Sequence, residues 1–228
     1  MSNPLGEIVD WHEVEAPVAR VLQGRTVRLE PIDLDRHCRS LFEAAVGDHA
    51  IWDYLPHGPF EHEQEFRTWL QGANRSSEYM FFVLVDEPTG RAEGMASYVR
   101  TVPLHGVIEI GYIWYGLRLQ RTAAGTEAIY LLLHHAFDHL GYRRVEWKCN
   151  ALNHASRRAA ERFGFTYEGV FRQHMVVKGR NRDTAWYAML DREWPAVRSA
   201  FEAWLSPKNF DAEGRQHQSL STIRDSME

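Results

Sequence analysis

Cysteine is nearly absent from the chain, with Cys38 and Cys149 the only two among 228 residues. They form no CxxC pair and each sits in an apolar-periodic segment, so buried, reduced thiols are expected rather than a disulfide. Lysine is almost as scarce: Lys148, Lys178 and Lys208 stand against an otherwise arginine-based cation set, which reads as compositional bias rather than the mark of one site. No apolar run approaches the roughly 20 residues that cross a bilayer. The opening MSNPLGEIVDWHEVE carries acids and no apolar core, unlike a secretory leader, so a cytoplasmic protein is the expectation. No repeat or low-complexity tract is present. The net charge of -5 argues against a general binder of nucleic acid or anionic membrane, and leaves a cationic amine compatible as a substrate.

What is present is an α+β pattern. Residues 1–24 show no sustained period and read as an N-terminal arm. The domain, 25–190, opens with the alternating strand Thr26–Glu30, stopped by Pro31, and a helix through Leu41 and Phe42 that Asp33 or Asp35 can cap. An aromatic loop with Trp52 and Tyr54 leads to a second helix, Glu61 to about Ala73, which places Phe66, Trp69 and Leu70 on one face. Met80–Val85 and Arg91–Thr101 form a hairpin around Asp86-Glu87-Pro88-Thr89-Gly90. A strand at Val107–Tyr115 precedes a helical stretch from Thr122 to Leu140 with Gly141 as its stop signal. A strand at Arg143–Asn150, a short helix at Ala155–Phe163 and a last hairpin, Tyr167–Val177 with Thr184–Leu190, complete the domain. An amphipathic helix occupies 191–206 around Trp194–Leu205, and 207–228 reads as a mobile polar tail.

The segment richest in chemistry is a strand ending Tyr112-Ile113-Trp114-Tyr115, a loop, and Gln120-Arg121-Thr122-Ala123-Ala124-Gly125-Thr126 opening the long helix. Free backbone N–H groups at a helix start, aligned with its dipole, make an anion site fit for a diphosphate. The segment resembles the Q/R-x-x-G-x-G/A cofactor motif of the GNAT N-acetyltransferase superfamily. Gln120 and Gly125 match, and Ala123 replaces the first glycine, a change that matters if that position needs a positive φ. Downstream, Asn153-His154-Ala155-Ser156 with Phe163-Gly164-Phe165 resembles the N-x-x-S…G-F signature of the RimJ/RimL-like branch. The two signatures together, in their strand–helix contexts, identify the chain as similar to that branch over about 25–190.

The resemblance implies a GNAT-like acyl-CoA N-acyltransferase fold: a mixed, splayed central sheet with helices on both faces, an αβα sandwich. Acetyl-CoA, the acyl donor, would enter a gap between the strands Val107–Tyr115 and Arg143–Asn150. Ile113, Trp114, the run from Gln120 through Arg121, Thr122, Ala123, Ala124 and Gly125 to Thr126, and Asn153 with Ser156 would hold it. The implied acceptor is a primary amine, on a small molecule or a protein N-terminus. For the base, Glu109 matches by position the strand glutamate of histone-acetyltransferase relatives, with Glu146 on the next strand as the alternative; an ion-paired carboxylate is the competing reading of Glu109. Many relatives use a helix tyrosine as acid where this chain has Ala160, so Ser156 is the substitute, although Asn153 and Ser156 also suit a helix cap. Trp52 and Tyr54 would line the acceptor side, where aromatic packing competes with cation binding. The rival to an enzyme is a silent CoA-binding protein on the same scaffold, motivated by Ala123 and Ala160. The family also implies pairing of two copies, with Trp194–Leu205 as a candidate contact. His134, His135 and His139 share one helix but lack an accompanying ligand signature, so no metal is expected.

Overall fold

A computed structural model describes residues 5–227. One eight-stranded sheet runs through it in the order β1-β2-β3-β4-β5-β6-β8-β7. These strands are β1 (Leu22–Gln23), β2 (Val27–Pro31), β3 (Tyr79–Asp86), β4 (Ala92–Val102), β5 (Val107–Tyr115), β6 (Arg144–Asn150), β7 (Thr166–Val177) and β8 (Arg180–Leu190). All neighbours pair antiparallel except β5 and β6, which are parallel and joined through a helix, as a parallel pair requires. Helices α1 (Leu34–Val46) and α2 (Glu63–Arg75) cover one face, over a core that includes Leu41, Phe66, Leu70, Val83 and Met95. The other face carries α3 (Ala123–His134), α4 (His154–Arg162) and α5 (Trp194–Leu205), packed over Phe82, Tyr98, Ile108, Val145 and Tyr187. The expected mixed sheet with helices on both faces is the observed one.

Local signals explain most boundaries. Asp33 caps α1 by accepting from the N–H groups of Asp35 and Arg36. The β7–β8 turn is Lys178-Gly179, both at positive φ, the conformation of a two-residue hairpin turn that follows strand twist. The long helix is shorter than expected as an α-helix: α3 ends at His134 and a π-helical turn, His135–His139, carries the chain to Gly141 at φ 73.

The two ends stand differently against the sequence expectation: the arm packs on the domain as it could, whereas the tail is ordered rather than mobile. The arm is anchored, with Trp11 donating to Leu104 O at 2.8 Å and β1 lying inside its expected span; its residues 1–4 lie outside the described residues. The tail is not loose. Trp204 Nε1 donates to Gln216, and Asn209 bridges the carbonyls of Trp204 and Gln218. A short helix α6 (Leu220–Asp225) buries Leu220 and Ile223 against the α5 layer; Glu228 lies outside the described residues. An apolar pair three residues apart in a polar stretch is too short a period to stand out, and its order comes from tertiary contact. The same packing removes α5 as an apolar pairing surface, because Trp194, Phe201 and Trp204 are buried within the chain's own core.

Candidate active site

The site begins where the sheet stops being continuous. β5 and β6 are in register only at Val107↔Arg144, Ile108↔Val145 and Glu109↔Glu146. Past Glu109 the edge of β5 that faces β6 has no strand partner. The cause lies on the other side of β5. Met95 pairs with Trp114 and Ser97 with Gly111, so Ala96 of β4 faces both Tyr112 and Ile113, and Tyr112 takes φ 49. Such a bulge bends its strand and increases its twist, and Ser97 Oγ, donating to Gly111 O at 2.8 Å, holds it in place. Backbone groups at a widened gap need partners, and an extended ligand with amides supplies them.

A cavity of about 910 Å³ occupies this gap and continues under the α1–α2 loop and the β7–β8 hairpin. Glu109, Ile113, Asn153, Ser156 and Tyr54 all line it, so the structure brings these five sequence candidates to one cavity. Glu109 is 6% exposed at the vertex of the gap. Burial pushes its carboxyl pKa up, against the opposing pull of Lys148 and Arg100. Lys148 Nζ lies 3.1 Å from Glu109 and 2.6 Å from Glu146, and Arg100 Nη1 lies 3.2 Å from Glu109. Glu146 is further tied to Arg144 Nε at 2.9 Å and does not line the cavity. Of the two carboxylates, Glu109 is the one open to a ligand.

On the opposite wall, Asn153 caps α4 by accepting from Ser156 N at 3.0 Å, which assigns the cap to Asn153 and leaves the Ser156 side chain outside it. Trp147 Nε1 donates to Ser156 Oγ at 2.9 Å. A hydroxyl that accepts from an indole still has its own proton to give. Ala160 is fully buried in the core, where the tyrosine of many relatives is absent.

At the start of α3, Thr122 caps Gly125 N, and Gln120 Nε2 donates to Tyr115 O, tying the loop to the end of β5. The positive φ in this turn belongs to Arg121, at 59°, whereas Ala123 is the first residue of the helix itself. The replaced glycine therefore falls where a methyl group is tolerated. Gly125 is the constrained position: a Cβ there would meet Leu119 O at 2.9 Å and the Tyr115 ring at 3.2 Å. Ala124 and Thr126 are buried behind the turn. Residues 120–126 do not line the main cavity; they stand beyond it at the end of β5.

Two expectations need correction. The Trp52 side chain is not an acceptor contact: it is 1% exposed, donates to Ala45 O, and packs against Phe60, Trp69 and Trp114. Trp114 is likewise buried in that core and does not line the cavity. Aromatic residues in a loop look alike in sequence whether they turn inward or outward. Tyr54 turns outward, and its hydroxyl donates to Leu152 O at 3.2 Å, joining the α1–α2 loop to the β6–α4 loop. Residues missed from sequence are Lys148, Arg100 and Arg182. Lys148 had a usable signal, being one of three lysines and lying in an apolar strand, Val145-Glu146-Trp147-Lys148-Cys149. Among the described residues no group of three or more His, Cys, Asp or Glu side chains is arranged to hold a metal, and no helix is long and apolar enough to cross a membrane.

Residues 26–166 match the family model described as an acetyltransferase (GNAT) domain. The chain belongs to the GNAT family. A GCN5-related N-acetyltransferase from Brucella melitensis has the same fold at a TM-score of 0.93, with 46% identity over 95% of this chain and 99% of that one. A probable GNAT-family acetyltransferase from Chromobacterium violaceum gives 0.78, with 42% identity over 86% and 98%. The ribosomal-protein-serine acetyltransferase of Escherichia coli is 29% identical over 132 residues, 56% of this chain and 72% of that protein. The chain spans 55–97% of the lengths of the curated relatives it matches. It is thus a GNAT protein, an acyl-CoA-dependent N-acyltransferase. The donor of the family, acetyl-CoA, fits the residues present: an unpartnered strand edge for its amides and a capped helix start for its diphosphate.

Proposed function

We propose that this GNAT enzyme acetylates a primary amine, on a small molecule or a protein N-terminus, by direct attack within a ternary complex of enzyme, acetyl-CoA and amine. The observation that carries the reading is Glu109, buried at the vertex of the β5–β6 gap with its carboxylate on the cavity wall. Bound acetyl-CoA would supply an activated acyl thioester. An ammonium has no lone pair, so a group must first take its proton. Glu109 does this, directly or through a water, and its raised pKa brings it closer to the amine's own. As the C–N bond forms and the C–S bond breaks, the sulfur needs a proton, which the Ser156 hydroxyl supplies while Trp147 holds its oxygen, and the second proton shed by the nitrogen returns to the serine through water. Those backbone N–H groups of Ile110–Trp114 that point away from β4 would meet the developing oxyanion, where a side chain is not required.

The test is thermal unfolding with acetyl-CoA, CoA and ATP. Saturation a hundredfold above Kd stabilises a protein by about 2.7 kcal/mol, roughly 5–10 °C at this size. Both CoA species are expected to give this shift and ATP little of it. Absence of a shift with either CoA species removes the proposal.

A further inference from the structure

The chemistry proposed above uses Glu109 and Ser156 and leaves Arg182 without a role. On β8, Arg182, Thr184 and Trp186 alternate onto one face. That face is shared with Lys148, which is in register with Trp186 and whose ammonium lies 3.8 Å from the Trp186 ring centroid. Arg182 therefore stands on the same side of the sheet as Glu109, lines the same cavity, and is only partly exposed. Its Nε donates to Thr184 Oγ1 at 3.2 Å, and His174 Nδ1 lies 3.0 Å from that oxygen. This fixes the inner edge of the guanidinium. Its two terminal nitrogens have no hydrogen-bond acceptor and no carboxylate among the described residues.

The surrounding charges sharpen the point. Lys148 and Arg100 both pair with Glu109, whereas Arg182 lines the same cavity with no carboxylate partner among the described residues. Burial disfavours its charged form more than the nearby Glu109 carboxylate favours it, Arg100 adds repulsion, and a bound anion would relieve both. An arginine held by its Nε presents a planar fork that matches a carboxylate through two parallel hydrogen bonds. Lys178 Nζ donates to Trp52 O at 2.8 Å and Tyr54 reaches Leu152 O, which ties the β7–β8 turn and the β6–α4 loop to the α1–α2 loop beside the cavity.

The geometry points to a carboxylate subsite in the acceptor half of the cavity: Arg182, oriented by Thr184 and flanked by His174, holds the acid group of a small amino-carboxylate whose amine reaches Glu109. This rests on the acetyl-transfer reading and narrows its acceptor. A polyamine would set its second ammonium against Arg182 and Arg100, a repulsive arrangement that rejects it.

The experiment follows CoA release with four acceptor sets at equal concentration: the protein amino acids with β-alanine, the matching amino-acid amides, spermidine, and phosphoethanolamine. At least one amino-carboxylate is expected to exceed its own amide about 10- to 100-fold in kcat/KM, the range of hydrogen bonds to a charged group. Arg182→Gln should remove that advantage, mainly through KM, with a much smaller loss on the amide, and Arg182→Lys should restore part of it. Thr184→Val, which frees the guanidinium without deleting it, should erode the same selectivity and guards against a folding defect in the first variant. Equal or better turnover of amides or spermidine overturns the subsite, as does a preference for phosphoethanolamine or an equal loss on both substrate sets in Arg182→Gln. Failure of every acceptor while acetyl-CoA still raises the melting temperature also overturns it. Loss of that thermal response as well would instead remove the acetyl-transfer reading beneath it.

Discussion

The two faces of β5 and β6 differ more than any two distant parts of the molecule. Ile108, Ile110, Val145 and Trp147 point to the side covered by α3, α4 and α5, and all four are buried in a continuous apolar core. Their immediate neighbours Glu109, Glu146 and Lys148 point the other way and form a nearly dry charge cluster. Because side chains alternate along a strand, one residue separates a position that holds the fold from one that serves the reaction. The rigid apolar side is what lets the other side keep a carboxylate at a fixed place in a low-dielectric cavity, where its proton affinity is shifted rather than averaged away by water.

Glu109 and Ile108, adjacent on β5, carry the two roles to their extremes. Glu109→Gln keeps the shape and removes the base, so kcat should fall by about 10²- to 10⁴-fold with acetyl-CoA binding retained in the thermal titration. An unchanged kcat would take the base role away from Glu109. Ile108→Ala should do the reverse. Deleting a fully buried isoleucine costs about 2–5 kcal/mol, read as a lower denaturation midpoint, while the folded fraction keeps near-normal kcat. Were activity to fall as steeply as stability, the two faces would not be separable.

Much of this contrast was legible in the sequence, and the limits of legibility have physical causes. The strand and helix order followed from periodicity and turn residues, and of the two signatures Asn153–Ser156 falls on the cavity wall while Gln120–Gly125 stands beyond it at the end of β5. Alternation placed Glu109 and Glu146 on strands, but which carboxylate meets the cavity depends on the bulge at Tyr112–Ile113, and no local pattern announces that bulge. Arg182 depends on the register of β8 against β6, a long-range property. Trp52 was misassigned because a loop has no period to say which way a ring turns, and the tail because Leu220 and Ile223 acquire meaning only against α5. Chemistry-bearing residues were thus easier to find than the contacts that decide between them.

The apolar face has a titratable group of its own, and it should report on stability rather than turnover. His135 is 2% exposed, with its Nδ1 3.3 Å from the Tyr98 hydroxyl. Burial, with lesser contributions from Arg20 and neighbouring histidines, lowers its pKa from 6.5 to about 4. The unfolded chain takes up this proton first, so the stabilisation is complete above about pH 6.5 and is lost as pH falls through 4. At about 1.4 kcal/mol per unit the span is ~3 kcal/mol. Melting temperature against pH should fall across this window in the wild type and flatten there in His135→Leu. An equal slope in both would assign the acid lability to other groups.

Lys148 gives the smallest effect and the most diagnostic one. Its ammonium opposes the rise that burial imposes on the Glu109 carboxyl. The base works only when ionised, so kcat/KM should rise with pH through the Glu109 pKa and be lost below it. Lys148→Met removes the nearest positive charge while keeping much of the apolar stem, and Arg100 remains as the only other cation paired with Glu109 among the described residues. The carboxyl should then hold its proton more tightly, and the acidic limb of kcat/KM should move to higher pH by about one unit, the lower end of what a neighbouring charge contributes. A limb that stays in place would show that the group titrating in catalysis is not in contact with Lys148, and would move the base off the charged face of β5. A limb that moves with little change in the high-pH plateau would separate the positioning role of Lys148 from any direct part in the reaction.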